Sequence, residues 1–334
     1  MAVPGGIKDR RAVRRERPAA SPGRRVARAL VRETARTAAL LVGVTLAMFL
    51  LLARAPGNPA AMYVNVTDLT AEELAAVNHE LGLDRSLPVR YVVWVGRMVR
   101  GDLGHSLRSG RPVTRELWQT GWRTLLLTGS AMLLTLAFGA LTAYLQATRR
   151  HPTIAGALGT FAYVISALPV FWLGYLVIYI FTTRLGVFPL MSSGEAATHW
   201  GFFLLPVLVL GLGNGTLSEI TRHLRAHLEG VLQEDYIRTA RAKGAPLLRH
   251  LYKDGFVMPL SSVLANKLPY VLGGAIVVEQ VFNWAGMGRL VWQAAADRDY
   301  PILMGVTLAS ALIVRAGHAV KEAAQVAANP QLAE

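Results

Sequence analysis

Three stretches of this chain run without a charged side chain, 124–148, 152–183 and 200–218, and they are 25, 32 and 19 residues long. About 20 such residues in a helix cross a hydrocarbon layer of about 30 Å, where every backbone N–H and C=O must be satisfied within the protein. The sequence therefore predicts helices that cross a membrane. Three further runs extend the pattern: 37–53 is uncharged, 255–278 is apolar apart from Lys267, and 300–320 carries Arg315 and His318 only near its end, where long side chains reach the headgroups. The first run also has the length of a cleaved signal, but the basic leader before it is too long and Pro56 follows the would-be cleavage site closely, so a retained anchor is the better reading. The expectation is an all-α membrane protein with six transmembrane helices. Composition agrees, since 53% of the 334 residues are hydrophobic and only 17% are charged, too few to cover a water-facing surface. With no Cys, disulfides, thiolate metal sites and cysteine nucleophiles are excluded.

Six spans place both termini on one side, and the excess of Lys and Arg marks the cytoplasmic side. Residues 1–36 hold eleven Lys/Arg against three acids, 149–150 is Arg-Arg, and 222–254 holds seven Lys/Arg, whereas 57–117 carries seven of each sign. The net charge of +14 thus reads as orientation in a lipid bilayer, with no nucleic-acid groove implied. The expected organisation is a partly disordered cytoplasmic leader at 1–36, a six-span domain at 37–325, an external loop at 57–117, a cytoplasmic loop at 222–254 and a cytoplasmic tail at 326–334. Within the external loop, Thr70 and Glu73 form a capping box ahead of Leu74, Val77 and Leu81, with Gly82 as a stop. A second helix is predicted from Leu87, with Pro88 in its first turn and Tyr91, Trp94, Val95, Met98 and Val99 on one face, opposite Arg90 and Arg97. It reads as an interfacial lid over the outer mouth.

Sites of bond-making chemistry are scarce. There is no phosphate-cradling G-x-x-x-x-G-K-[ST], and the glycines of Gly211-Leu212-Gly213-Asn214-Gly215 read as close helix packing or a kink near Pro206. Glu219, His223 and His227 recur at i, i+4 and i+8 where the fourth span ends, the one array resembling a metal site. A membrane zinc protease would need a Glu beside the first His, and position 224 is Leu; the neighbouring Arg222 and Arg225 would repel a cation. A polar helix end is the plainer reading. The stretch 231–246, VLQEDYIRTARAKGAP, reads as a short cytoplasmic helix over 231–243, closed by Gly244 in a left-handed cap and by Pro246. Tyr236, Ala240 and Gly244 fall on one face, which suits either another protein's groove or an anionic headgroup surface.

At this stretch the sequence resembles the integral-membrane permease family of ABC importers, in its dipeptide, oligopeptide and nickel branch. The string DYIRTARAKG at 235–244 is similar to that family's coupling helix, which docks into a cleft of a separate ATPase subunit. The resemblance extends through LLLARAPGNPA (50–60), ELGLDRSLPVRY (80–91), GDLGHSLRSGRPV (101–113), ALPVFWLG (167–174) and GGAIVVEQVFNWAGMGRL (273–290), in order. The chain departs from the family in a longer basic leader, a shorter segment between Gly244 and Pro259, and a more polar ending from Arg315.

The resemblance implies a type I importer permease that binds no cofactor and is no enzyme, ATP and Mg being used by partner subunits. The implied partners are a second, homologous permease, two ABC ATPase subunits and an extracytoplasmic solute-binding lipoprotein, all at a bacterial inner membrane. Peptides are the first expectation for cargo, and nickel or a metal chelate the second. A membrane-embedded metalloenzyme using Glu219, His223 and His227 is the rival of another class. Coupling is assigned to Asp235, Tyr236, Arg238, Thr239, Ala240, Lys243 and Gly244, and the solute path to Pro169, Trp172, Lys267 and Asn283. Lys267 carries the physical argument: a lysine within a span must face water or a carboxylate, so it either reads a solute's carboxylate or pairs structurally with an acid, Glu279 lying too far along the same helix.

Overall fold

The computed structural model describes residues 22–55, 79, 84–149, 151–187, 200–213, 215–246, 251, 255–256 and 258–328. The helix expected after Thr70 lies outside them. The described chain is helical, and by packing it divides between Gly43 and Val44 into two units.

Helix α1 (Pro22–Arg54) begins well inside the basic leader. In its first part Thr37 Oγ1 donates to the Glu33 carbonyl at 2.9 Å and Arg36 faces Glu33. Beyond Val44, Thr45 is buried and its hydroxyl lies 3.0 Å from that of Tyr91 on α2 (Leu87–Val99). Ser86 in extended backbone and Pro88 in the first turn start α2 as the sequence predicts. Tyr91, Trp94, Val95 and Met98 turn inward, with Tyr91 against Phe49; Val99 instead is exposed, and the Arg90 guanidinium lies over the Phe49 ring.

Helix α3 (Val113–Thr148) has 36 residues, about 54 Å, which is longer than a hydrocarbon layer of about 30 Å. It threads three cores. Near its start Val113 packs with Met287 and Ala294 of α10 (Met287–Ala296) and Ile302, Leu303 and Val306 of α11 (Tyr300–Ala328). At its middle Leu127, Ala131 and Met132 join Leu173 of α5 (Val170–Ile178), Leu205, Val207, Val209 and Leu210 of α6 (Trp200–Leu212) and Val271, Ala275 and Val278 of α9 (Met258–Val281). Near its end Ala143 meets Ile220, Leu224 and Leu228 of α7 (Thr216–Val231), Ile237 of α8 (Asp235–Ala242), and Leu251. The glycines make the close approaches: a Cβ on Gly139 would lie 2.9 Å from Ile220 Cγ2, and one on Gly211 2.8 Å from the Ala131 carbonyl oxygen. Thr135 Oγ1 donates to the Gly211 carbonyl at 2.6 Å, so part of the glycine-rich string is a helix-packing device.

Three expectations are corrected. The run 152–183 is not one straight span: α4 (Pro152–Ala167) and the segment from Val170 to Arg184, which ends in a π turn (Tyr179–Arg184), meet at 104°. Pro169 has no N–H to give and forces Leu168 into extended backbone, so the helix must restart. The fourth span bends by 54° between Leu212 and Thr216, where Gly215 has φ +71°, and α7 then continues to Val231 because Leu217, Ile220, Leu224 and Leu228 are all fully buried. The short helix expected over 231–243 is consequently only Asp235–Ala242, after a turn at 232–234.

Among the described residues, three helices are long and apolar enough to cross a membrane, or five if each bent pair is one span. The run expected at 255–278 is α9, 24 residues that include Asn266, Lys267, Glu279 and Gln280, and it is not among these helices.

Candidate coupling and solute-path sites

An eight-residue helix has little stability of its own, so α8 depends on what it packs against. Ile237 is completely buried in the core around Ala143, and Ala240, one turn on, is also buried. Asp235 in the first turn suits the positive end of the helix dipole and lies 3.4 Å from Arg238, while Thr239 Oγ1 donates to the Asp235 carbonyl. Gly244, with φ +69°, closes the helix as its N–H donates to the Arg241 carbonyl and that of Ala245 to the Ala240 carbonyl. The exposed surface is therefore Asp235, Tyr236, Arg238, Thr239, Lys243 and Gly244. Ala240 departs from the expected outward face of Tyr236 and Gly244 and anchors the helix from within.

The path candidates do not form one cluster. Pro169 and Trp172 are exposed at the α4–α5 break. Leu173, beside Trp172, shares a core with Phe282, beside Asn283, so these residues gather near the end of α9. Asn283 is exposed with φ +52°, and its carbonyl accepts from the Arg289 guanidinium at 3.3 Å. Lys267 lies about 24 Å back along the chain. Its Nζ donates to the Glu219 carboxylate on α7 and sits 4.6 Å from the centre of the Tyr270 ring. Glu219, in the first turn of α7, thus faces Lys267 across the two helices. Its other oxygen is 3.8 Å from His223 Nε2. With an ammonium on Glu219 the array lacks room for a metal cation, and among the described residues no three ligating side chains come together.

Residues 135–333 match the family described as binding-protein-dependent transport system inner membrane component, and residues 26–111 match the N-terminal family of the same membrane components. The chain belongs to this family of permeases. It is 31% identical over 317 residues to the oligopeptide transport system permease protein AppB of Bacillus subtilis, covering 91% of this chain and 98% of that one. It is 33% identical over 298 residues to the glutathione transport system permease protein GsiC of Salmonella typhimurium, covering 87% and 94%. This permease is an integral membrane protein of the type I fold and a transport component of an ABC importer, not an enzyme.

Two buried carboxylates of the permease were not singled out from sequence. Glu279, fully buried near the end of α9, accepts from Thr124 Oγ1 at 2.6 Å and from the Arg289 N–H at 2.9 Å, while Thr124 Oγ1 in turn accepts from the Met287 N–H at 2.7 Å. It caps the start of α10 from another helix. Gly286 and Gly288 make room: a Cβ on Gly286 would overlap the carboxylate, and one on Gly288 would lie 2.6 Å from Ile276 Cα. An acid closing an apolar run, followed by G-x-G, was the available signal. Asp299 is the second; it caps α11 through the Ile302 N–H and accepts from Ser106 Oγ, while Arg108 pairs with Asp297. These contacts fasten the 101–113 loop to the α10–α11 junction.

Proposed function

We propose that this chain is one of two permease subunits of an ATP-driven importer of di- and oligopeptides, with α8 as the coupling helix. The partners on this reading are a second, homologous permease, two ABC ATPase subunits that use ATP and Mg, and an extracytoplasmic solute-binding lipoprotein at a bacterial inner membrane. The leader, α8 and the chain's end are on the cytoplasmic side. The observation that carries the reading is the construction of α8: a polar outer face held at Ile237 to the same core that joins α3 and α7. A push on that face moves spanning helices, because packed cores shift as units. The relatives' names, oligopeptide and glutathione transport, support peptides as cargo.

The test is ATP-dependent peptide uptake into proteoliposomes holding the assembled importer. Gly244→Trp is expected to abolish uptake and peptide-stimulated ATP hydrolysis while the subunits still co-purify. Undiminished uptake by that variant overturns the assignment of α8.

A further inference from the structure

A lysine ammonium within a spanning helix needs an anion, and here the anion comes from a neighbouring helix of the same chain. The pair lies about 14 Å from the start of α9 and about 18 Å from the end of α7, the two helix ends that lead to α8. The Lys267 side chain is 12% exposed, and the accessible side of the pair is that of Glu219, 35% exposed, with Tyr270 61% exposed beside it.

The opening continues along one edge of α9. Asn266, Tyr270 and Gln280 are all exposed and recur at i, i+4 and i+14, which share a helix face. A polar edge on a spanning helix does not belong against lipid; it belongs against water or other polar groups of the assembly. The pair therefore lies beside a polar edge of α9 that is open in this chain. Glu219 also has a second partner within reach, since its other oxygen faces His223 one turn along α7, at 3.8 Å. An ammonium has three N–H donors and Glu219 takes one, so a second carboxylate can approach Lys267 from the exposed side and Glu219 can turn toward His223.

We propose that Lys267 recognises the terminal carboxylate of the transported peptide, and that Glu219 is its stand-in partner between transport events. The assignment rests on the peptide-import reading above. Both charges are needed by it, but in opposite senses: Lys267 attracts the cargo and Glu219 competes with it.

The experiment compares uptake of tri-alanine and of tri-alanine amide by the complete importer in proteoliposomes, the solute-binding protein being the same for every variant. In Lys267→Met the KM for the acid should rise about tenfold relative to that for the amide, with the amide's uptake retained. Glu219→Gln should lower the KM for the acid severalfold. Lys267→Arg should keep the wild-type ratio, and the exchanged double variant Glu219→Lys/Lys267→Glu should assemble yet lose the preference for the acid. An acid-to-amide ratio unchanged in Lys267→Met overturns the assignment. So does an exchanged variant that restores the wild-type ratio after both single variants fail to assemble, since the pair is then structural. Wild-type vesicles that take up neither peptide overturn the peptide reading itself, and this assignment with it.

Discussion

Glu279 cannot reach water from its position, so its oxygens are committed to the donors around it: the Thr124 hydroxyl and the backbone N–H of Arg289. Removing the acceptor strands those donors, and a buried donor left unsatisfied costs about 1–3 kcal/mol. Glu279→Leu should therefore lower the melting temperature of the detergent-solubilised permease well below that of Glu279→Gln, which keeps an acceptor oxygen. A double-mutant cycle with Thr124→Val should give a coupling of about 0.5–3 kcal/mol; additive effects would show that the two groups act separately. Outside the membrane, the Gly104 N–H first and the Arg97 guanidinium second hold the Asp102 carboxyl below the usual aspartate range. A depressed pKa means that its contribution is complete above the unfolded value of about 3.9 and is lost as pH falls through the lower folded one. Hydrogen-exchange protection at 101–104, relative to the intrinsic rate at each pH, should hold steady from pH 7 to 5 and fall only in stronger acid, a change that Asp102→Asn should not show.

Among the elements, α8 shows how a short helix serves as a lever: its outer face is free to meet another surface only because Ile237 fixes its inner one. Ile237→Ala removes that anchor at a cost of about 2–5 kcal/mol, and the loss should appear in coupling first, with peptide-stimulated ATP hydrolysis falling while the spanning helices still insert. Ala240→Trp is expected to lower the thermal stability of the permease as well, because that position points inward, whereas Lys243→Trp, on the exposed side and at an ordinary φ, should leave stability nearly intact; equal effects on stability would contradict the observed faces. Much of this element was legible in sequence. Gly244 signalled the left-handed cap, and the apolar runs located the other helices. The inward turn of Ala240 was not legible, because what decides it is a core built by α3, α7 and Leu251 around the neighbouring Ile237. Equally, uncharged runs count residues and carry no angle, so the break at Leu168–Pro169 stayed hidden inside a run of 32. The partner of Lys267 lies 48 residues away, beyond any local pattern, although a lysine placed in an apolar run was a signal that an acid had to face it.

For the whole molecule the open quantity is orientation, and α3 is the element that decides it. Its 36 residues exceed the bilayer, so the loop before Val113 and the turn after Thr148 emerge on opposite sides. Ser109 and His151 are exposed at those two ends. The turn carries Arg149 and Arg150, and residues 1–36 hold eleven Lys/Arg, whereas the loop before α3 is balanced in charge. Retention of basic segments therefore favours His151 inside and Ser109 outside. The chain has no native Cys, so single cysteines report without background. Ser109→Cys should react with an impermeant thiol reagent in intact cells, and His151→Cys only after the membrane is opened. The reverse pattern would invert the molecule and with it the function, since Ala143 and Ala147 near the end of α3 share a core with Ile237. Whichever side labels at His151 is the side on which α8 can meet an ATPase, and only the cytoplasm supplies the ATP that such a partner uses.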